Sequence, residues 1–210
     1  MKISYAITAC NEHEELQRLL NLLTKHIRDE DEIIIQLDNI ASHEIRDIVW
    51  NFTKEKNITN ILGIEFPLNK DFATFKNNLK NHCKGDIIFF IDADEIPAQD
   101  LIEALPILAE QNIDVISVPR INTVKNITPE HIKKWGWKID EFGRINYADY
   151  QMRICKNIPE IKWKNKVHEV LDGYKTYSYL PTDMNSGDLH LYHPKTIERQ
   201  EKQNDFYNTI

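Results

Sequence analysis

The sequence predicts an α/β fold: a mostly parallel central sheet flanked by helices. Three observations lead there. Apolar runs of strand length alternate with amphipathic stretches of helical length through the first half of the chain, as βαβ units require. Residues 87–91 are apolar without interruption, as in a strand covered on both faces. Hydrophobic residues at 41% and charged residues at 28% of the 210 positions supply a packed core.

Taken in order, Ile3–Thr8 reads as a first strand. Leu16, Leu19, Leu20, Leu23 and Ile27 then fall at helical spacing, giving an amphipathic helix after Asn11. Glu32–Leu37 is a second strand ending in Asp38, and Ser42 can cap a helix running to about Lys56. Thr59–Phe66 is a third strand, stopped by Pro67. Phe72, Phe75 and Leu79 mark one face of a helix ending near Gly85, and the apolar strand follows. A helix beginning near Pro97 meets Pro106, which should kink or break it. Val115–Pro119 is a fifth strand, after which the rhythm stops. Residues 121–150 hold Trp135, Trp137 and Tyr147 in a polar setting and read as a long functional loop. Short strands resume at Gln151–Cys155, Ile161–Val167 and Leu189–Tyr192, and Thr196 caps a last helix. That helix reaches the end of the sequence without a clear C-cap, so a longer protein is expected.

The bulk chemistry narrows the function. A net charge of -7 argues against general nucleic-acid binding. No stretch approaches the roughly 20 apolar residues of a membrane span, and the acidic run after Cys10 does not suit a signal peptide. A cytoplasmic protein is expected, with peripheral membrane contact left open. Cys10, Cys83 and Cys155 form no Cys-x-x-Cys pair and read as buried thiols. There is no dinucleotide fingerprint, no P-loop and no nucleophile elbow.

The informative feature is the tip of the apolar strand, where Asp92, Asp94 and Glu95 follow in quick succession. They should emerge at the strand's carboxyl end, where open α/β sheets bind ligands. Two carboxylates there repel unless a cation sits between them. A hard divalent ion, Mg2+ or Mn2+, is the natural partner and brings a substrate phosphate with it.

The ordered set Thr8-Ala9-Cys10-Asn11-Glu12, Asp38, Lys76 before Gly85-Asp86, and Asp92-Ala93-Asp94-Glu95 resembles a family 2 glycosyltransferase of the GT-A fold. The run from Tyr147 to Arg153, then Lys166-Val167-His168-Glu169, then His190 followed by Lys202 and Tyr207, is similar to the branch with bacterial lipopolysaccharide-core glucosyltransferases. The resemblance covers nearly the whole chain. It implies a single domain over 1–210, with a nucleotide-binding half at 1–119 and an acceptor-side half at 120–210 that ends in the C-terminal helix.

It also implies an inverting, metal-dependent transfer from a UDP- or GDP-linked sugar to a hydroxyl of a glycan or glycoconjugate. Thr8, Cys10, Glu12, Asp38, Lys76 and Asp92 would bind the nucleotide sugar. Asp92, Asp94 and His190 would hold Mn2+ (or Mg2+), with His193 as the fallback for His190. Glu95 is either a supporting residue of this site or a helix-start acid. Inversion needs a carboxylate to take the acceptor's proton. Glu169 is the candidate, on a strand where it and His168 face opposite sides, and Asp149 is its rival. Trp135, Trp137 and Tyr147 are either sugar platforms or core. Two other readings remain, a non-catalytic sugar-nucleotide or glycan-binding module and a metal-dependent hydrolase using His168-Glu169 and the late histidines.

Overall fold

The computed structural model of the protein describes residues 1–54, 60–183, 185, 187–207 and 209. Its elements run β1 (Ile3–Ala9), α1 (His13–His26), β2 (Glu32–Leu37), α2 (His43–Lys54), β3 (Ile61–Glu65), α3 (Phe72–His82), β4 (Ile87–Asp92), β5 (Ile96–Pro97) and α4 (Gln99–Glu110). There follow β6 (Val115–Lys125), α5 (Pro129–Trp135), β7 (Ile145–Lys156), β8 (Lys162–Lys164), β9 (Val170–Asp172), β10 (Tyr177–Tyr179), β11 (Leu191–Thr196) and α6 (Ile197–Tyr207). The expected helix end at Lys56 and strand start at Thr59 lie outside the described residues.

The main sheet has the order β3-β2-β1-β4-β7-β6-β11-β5, with β10 also paired to β6. The first four strands are parallel, while β7 runs antiparallel to both β4 and β6. Strand β1 is therefore flanked by β2 and β4, so the chain winds outward from it in both directions. The crevice at its carboxyl end is the switch point where such sheets bind ligands.

Strand alternation builds the core on both faces. Ile3, Tyr5 and Ile7 of β1, Ile33 and Ile35 of β2, and Phe89 and Ile91 of β4 pack on one side with Leu16, Leu19, Leu20 and Leu23 of α1. Ala6, Ile34, Ile88 and Phe90 point the other way, against Leu79 of α3 and Trp163 of β8. The β8–β9 hairpin is a separate two-stranded sheet.

Prolines explain most departures from the expected elements. Pro106 neither breaks nor ends α4, which runs through it. Leu105 and Ala109 on either side are buried and hold the helix against the core. Pro119 does not stop β6. It falls between the stretch paired with β10, up to Ser117, and the stretch paired with β11, from Arg120. Pro194 likewise lies inside β11, past Leu191 and Tyr192, the residues paired with β5. As a result, the expected loop at 121–150 is mostly ordered hairpin, with β6 reaching Lys125, β7 starting at Ile145 and α5 between them. The expected strand Ile161–Val167 shrinks to Lys162–Lys164. His168 adopts a positive φ of 54° in the turn that follows, so it and Glu169 do not sit on opposite faces of one strand.

Candidate active site

Parallel register delivers the first residues of the site. Thr8 lies opposite Asp92, and Ala9 opposite Leu37, so Thr8, Asp38 and Asp92 reach the same edge of the sheet. Thr8 Oγ1 donates to Asp92 Oδ1 at 2.8 Å. Asp38 is buried, and its carboxylate accepts from Leu68 N at 3.2 Å, tying the β3–α3 loop to this edge. Glu12 Oε2 accepts from the amides of Cys10 and Asn11 at 2.8 and 2.9 Å, which shapes the loop after β1. Burial, with Glu12 and Asp38 adding to it, pushes the Cys10 thiol up to about 11, so it stays protonated rather than nucleophilic.

The acids at the strand tip are neutralised by the protein's own cations. Asp92 receives Lys76 Nζ at 3.2 Å and Arg153 Nη2 at 2.6 Å. Burial works to raise its carboxyl, but the charges of Arg153 and Lys76 and the Thr8 hydroxyl outweigh that and hold it well below the usual carboxylate range. Glu95 is fully buried, pairs with Arg120 at 2.8 Å and Arg153 at 2.6 Å, and accepts from Asp92 N at 3.1 Å. It is not a helix-start acid, because β5 intervenes before α4. On Asp94 the groups converge on one atom, Oδ2: His193 Nε2 at 3.1 Å, Arg199 Nη2 at 3.3 Å and Lys195 Nζ at 3.6 Å. Burial again opposes ionisation there, and His193 leads the groups that overcome it and lower the carboxyl. The expected repulsion between the two aspartates is thus relieved from within the chain.

The structure places the remaining candidates as follows. His193 is the imidazole beside Asp94, and its Nδ1 lies 2.7 Å from Asn122 Oδ1. His190 is buried elsewhere, with Nε2 at 2.7 Å from the Tyr147 hydroxyl and Nδ1 at 2.9 Å from Asp188. Lys76 is buried rather than solvated and joins Asp92 to Glu169, whose Oε1 is 2.6 Å from its Nζ. Asp149 is consumed by donors: Arg120 through two nitrogens, Asn122, and Gln151. Burial raises its carboxyl, yet the Arg120 charge and these hydrogen bonds bring it below the ordinary value. Tyr147 is tied to His190. Trp135 and Trp137 pack on each other at 4.6 Å, half-exposed on the β6–β7 excursion and not in the core.

Sequence reasoning missed Arg120, Arg153, Lys195 and Arg199. A signal existed for Arg153, since it lies two residues before the apolar, buried Cys155 on the same strand face, and a buried guanidinium requires acids. Arg199 reaches back from α6 to Glu12 and Glu15 at 3.3 and 2.8 Å as well as to Asp94.

A family model for glycosyl transferase family 2 matches residues 4–167. A search of curated proteins finds no match. Among solved structures, S. aureus TarS 1-349 in complex with UDP-GlcNAc superposes with a TM-score of 0.65 at 18% identity, covering 93% of this chain and 59% of that one. The complex of TarS 1-349 with UDP gives 0.64 at 17% identity, covering 92% and 60%. The mannosyltransferase PcManGT from Pyrobaculum calidifontis, in complex with GDP-Man and Mn2+, gives 0.59 at 16%, covering 90% and 56%. The chain therefore spans between 56% and 60% of the length of these solved chains. With the family model covering most of the sequence and the sheet superposing on these neighbours, the chain belongs to glycosyl transferase family 2 and has the GT-A fold.

Proposed function

We propose that the chain transfers a sugar from a UDP- or GDP-linked donor to a hydroxyl of a glycan or glycoconjugate acceptor, with inversion and with help from Mn2+ or Mg2+. The observation that carries this reading is the meeting of Asp94 and His193 beside the Thr8–Asp92 pair at the carboxyl edge of β1 and β4. Neighbours of the same fold held UDP, UDP-GlcNAc, and GDP-Man with Mn2+, which supports a nucleotide-sugar donor and a divalent cation.

The donor set fits such an ion. A carboxylate and an imidazole side by side offer the oxygen and nitrogen that Mn2+ accepts, and imidazole favours Mn2+ over Mg2+. Among the described residues no group of three or more His, Cys, Asp or Glu could hold an ion. Asp94 and His193 would hold it together with the donor's own phosphate oxygens and water, as hard cations commonly bind. Bound there, it would supply Lewis-acid stabilisation of the departing diphosphate. Both oxygens of Asp92 are already engaged, so its role is to position Lys76 and Arg153. Of the two side-chain cations beside Asp94, Lys195 and Arg199, the more exposed Arg199 is the one a diphosphate would meet first.

Glu169 is the proposed base. The Lys76 ammonium, 2.6 Å from its Oε1, holds it in place to take the acceptor's proton as the acceptor oxygen attacks the anomeric carbon. The new carbon–oxygen bond forms on the face opposite the one to the diphosphate, which leaves with the electron pair. Asp149, surrounded by four donors, has no comparable freedom. Residues 1–119 would serve the nucleotide and 120–210 the acceptor, in the lipopolysaccharide-core branch and in the cytoplasm. The hydrolase reading needs His168 and the late histidines gathered with Glu169. Instead His190 is bound to Tyr147, and His168 lies beside Tyr207 at 6.2 Å.

Thermal unfolding with UDP or GDP tests the reading. Stabilisation by nucleotide only when Mn2+ is present is expected, because a ligand that binds the folded state raises its midpoint. Asp94→Ala should abolish that shift. An unchanged shift in this variant removes Asp94 from the cation site.

A further inference from the structure

From Arg120 to Arg144 no residue is buried. The stretch nevertheless contains Ile132, Trp135, Trp137, Ile139 and Phe142. It parts from β7 after Asn122 and from β11 after Lys125, and it rejoins β7 at Ile145. Helix α5, inside it, buries none of its own side chains. Trp135 packs on Trp137 and on His131, at 4.6 and 5.3 Å, rather than on the core. Phe142 is 70% exposed and Ile139 37%. Apolar side chains grouped on a projection forgo the gain of burial, and such a grouping marks an interaction surface.

Charge selects the partner. Lys125, Lys133, Lys134 and Lys138 are exposed on this finger, against Glu130 and Glu141, and Asp140 is neutralised by Arg144 at 2.6 Å. The finger is therefore basic on a chain whose net charge is -7. An anionic surface repels the acidic body of such a molecule and attracts basic parts such as this one. Aromatic rings beside lysines, whose stems lie along apolar surface while the ammonium stays in water, suit the headgroup layer of a bilayer.

We propose that residues 126–144, with Lys125 at their base, dock on an anionic lipid bilayer. Phe142, Ile139 and the tryptophan pair enter the headgroup layer, and the lysines meet acidic headgroups. Strands β6 and β7 below the finger carry Asn122 and Asp149, so docking turns the site's edge toward the membrane surface. The inference stands apart from the sugar chemistry and does not depend on it.

The test mixes the full chain with vesicles of phosphatidylcholine alone, or of phosphatidylcholine with about a third phosphatidylglycerol, and sediments them. The wild type is expected to pellet with the anionic vesicles only, and to be released as salt rises. Lys133→Glu with Lys134→Glu and Lys138→Glu should weaken partitioning by about fivefold or more per lysine. Phe142→Ser should weaken it separately with an unchanged thermal midpoint, since that ring is outside the core. Wild type left in the supernatant with both vesicle types overturns the proposal, as does a Phe142→Ser or lysine-reversed chain that pellets like wild type. Retention on a soluble anionic polysaccharide without vesicle binding also overturns it, and assigns the finger to a polyanionic acceptor.

Discussion

Arg153 reaches Asp92 and Glu95 with the same guanidinium nitrogen, 2.6 Å from each. Glu95 has no solvent to turn to, so removing Arg153 leaves a buried carboxylate with one cation, Arg120, and the Asp92 amide. Breaking a buried pair from one side costs about 3–5 kcal/mol. Arg153→Ala should lose that much in urea unfolding and Arg153→Lys clearly less; a loss under about 1 kcal/mol would show that Glu95 finds water. At the same scale, Glu169→Gln should keep nucleotide binding and lose most transfer. Full transfer by this variant would send the base role to Asp149. These residues differ in how far the sequence exposes them. Asp92 and Asp94 are legible because they end an apolar run abruptly. Lys76 is half legible: it lies four residues after Phe72 and three before Leu79, on the buried stripe of its helix, so it needed a partner. Neither the identity of that partner, Glu169, nor the placing of His193 rather than His190 beside Asp94 can be read locally. Both are set by contacts between residues some hundred positions apart, and no periodicity encodes those.

At the scale of elements, two joints hold the sheet in register, and each gives a prediction. Gly85 enters β4 so close to β1 that a Cβ there would lie 2.6 Å from Ser4 N and 2.9 Å from Ile3 C. Backbone cannot yield as a flexible side chain can, so Gly85→Ala should destabilise by about 1–3 kcal/mol, measured by chemical unfolding. Wild-type stability would mean that the two strands can separate there. Asp114, just before β6, accepts from Lys156 Nζ at 2.8 Å and from the amides of Lys175 and Thr176 at 2.8 and 3.2 Å, tying β6 to β7 and to the β10 approach. The hydrogen bond from Lys156 leads the causes that lower its carboxyl from 3.8 to about 2. A depressed carboxyl contributes stability that is full above the unfolded value and is lost as pH falls through the folded one. The stability gap between wild type and Asp114→Asn should therefore close between about pH 4 and pH 2. A gap constant through that window would assign the bond's strength to something other than charge. The boundaries of β6 and β11 were not legible because a proline usually ends a strand. Here each proline meets a place where no ladder bond is needed, and only the assembled sheet defines such places.

At the scale of the molecule, the chain closes on itself through α6. This helix buries only Ile197, yet it spans the mouth of the site. Arg199 holds Glu12, Glu15 and Asp94 near its start, and Phe206 and Tyr207 meet Phe72 at 6.5 and 6.1 Å near its end. Its attachment thus rests on partly exposed ion pairs and ring edges, which hold weakly, whereas β1 is buried from Ile3 to Ile7 and bonded on both sides. Local opening should follow that difference, since segments with few buried contacts exchange their amides through small, frequent excursions. Hydrogen exchange should show α6 amides exchanging orders of magnitude faster than those of β1 and β4, with Arg199→Ala speeding α6 further while leaving β1 unchanged. Equal protection in α6 and β1 would mean that the helix opens only with the whole fold. Its ion pairs would then be a structural lock, not a contact that can release Asp94.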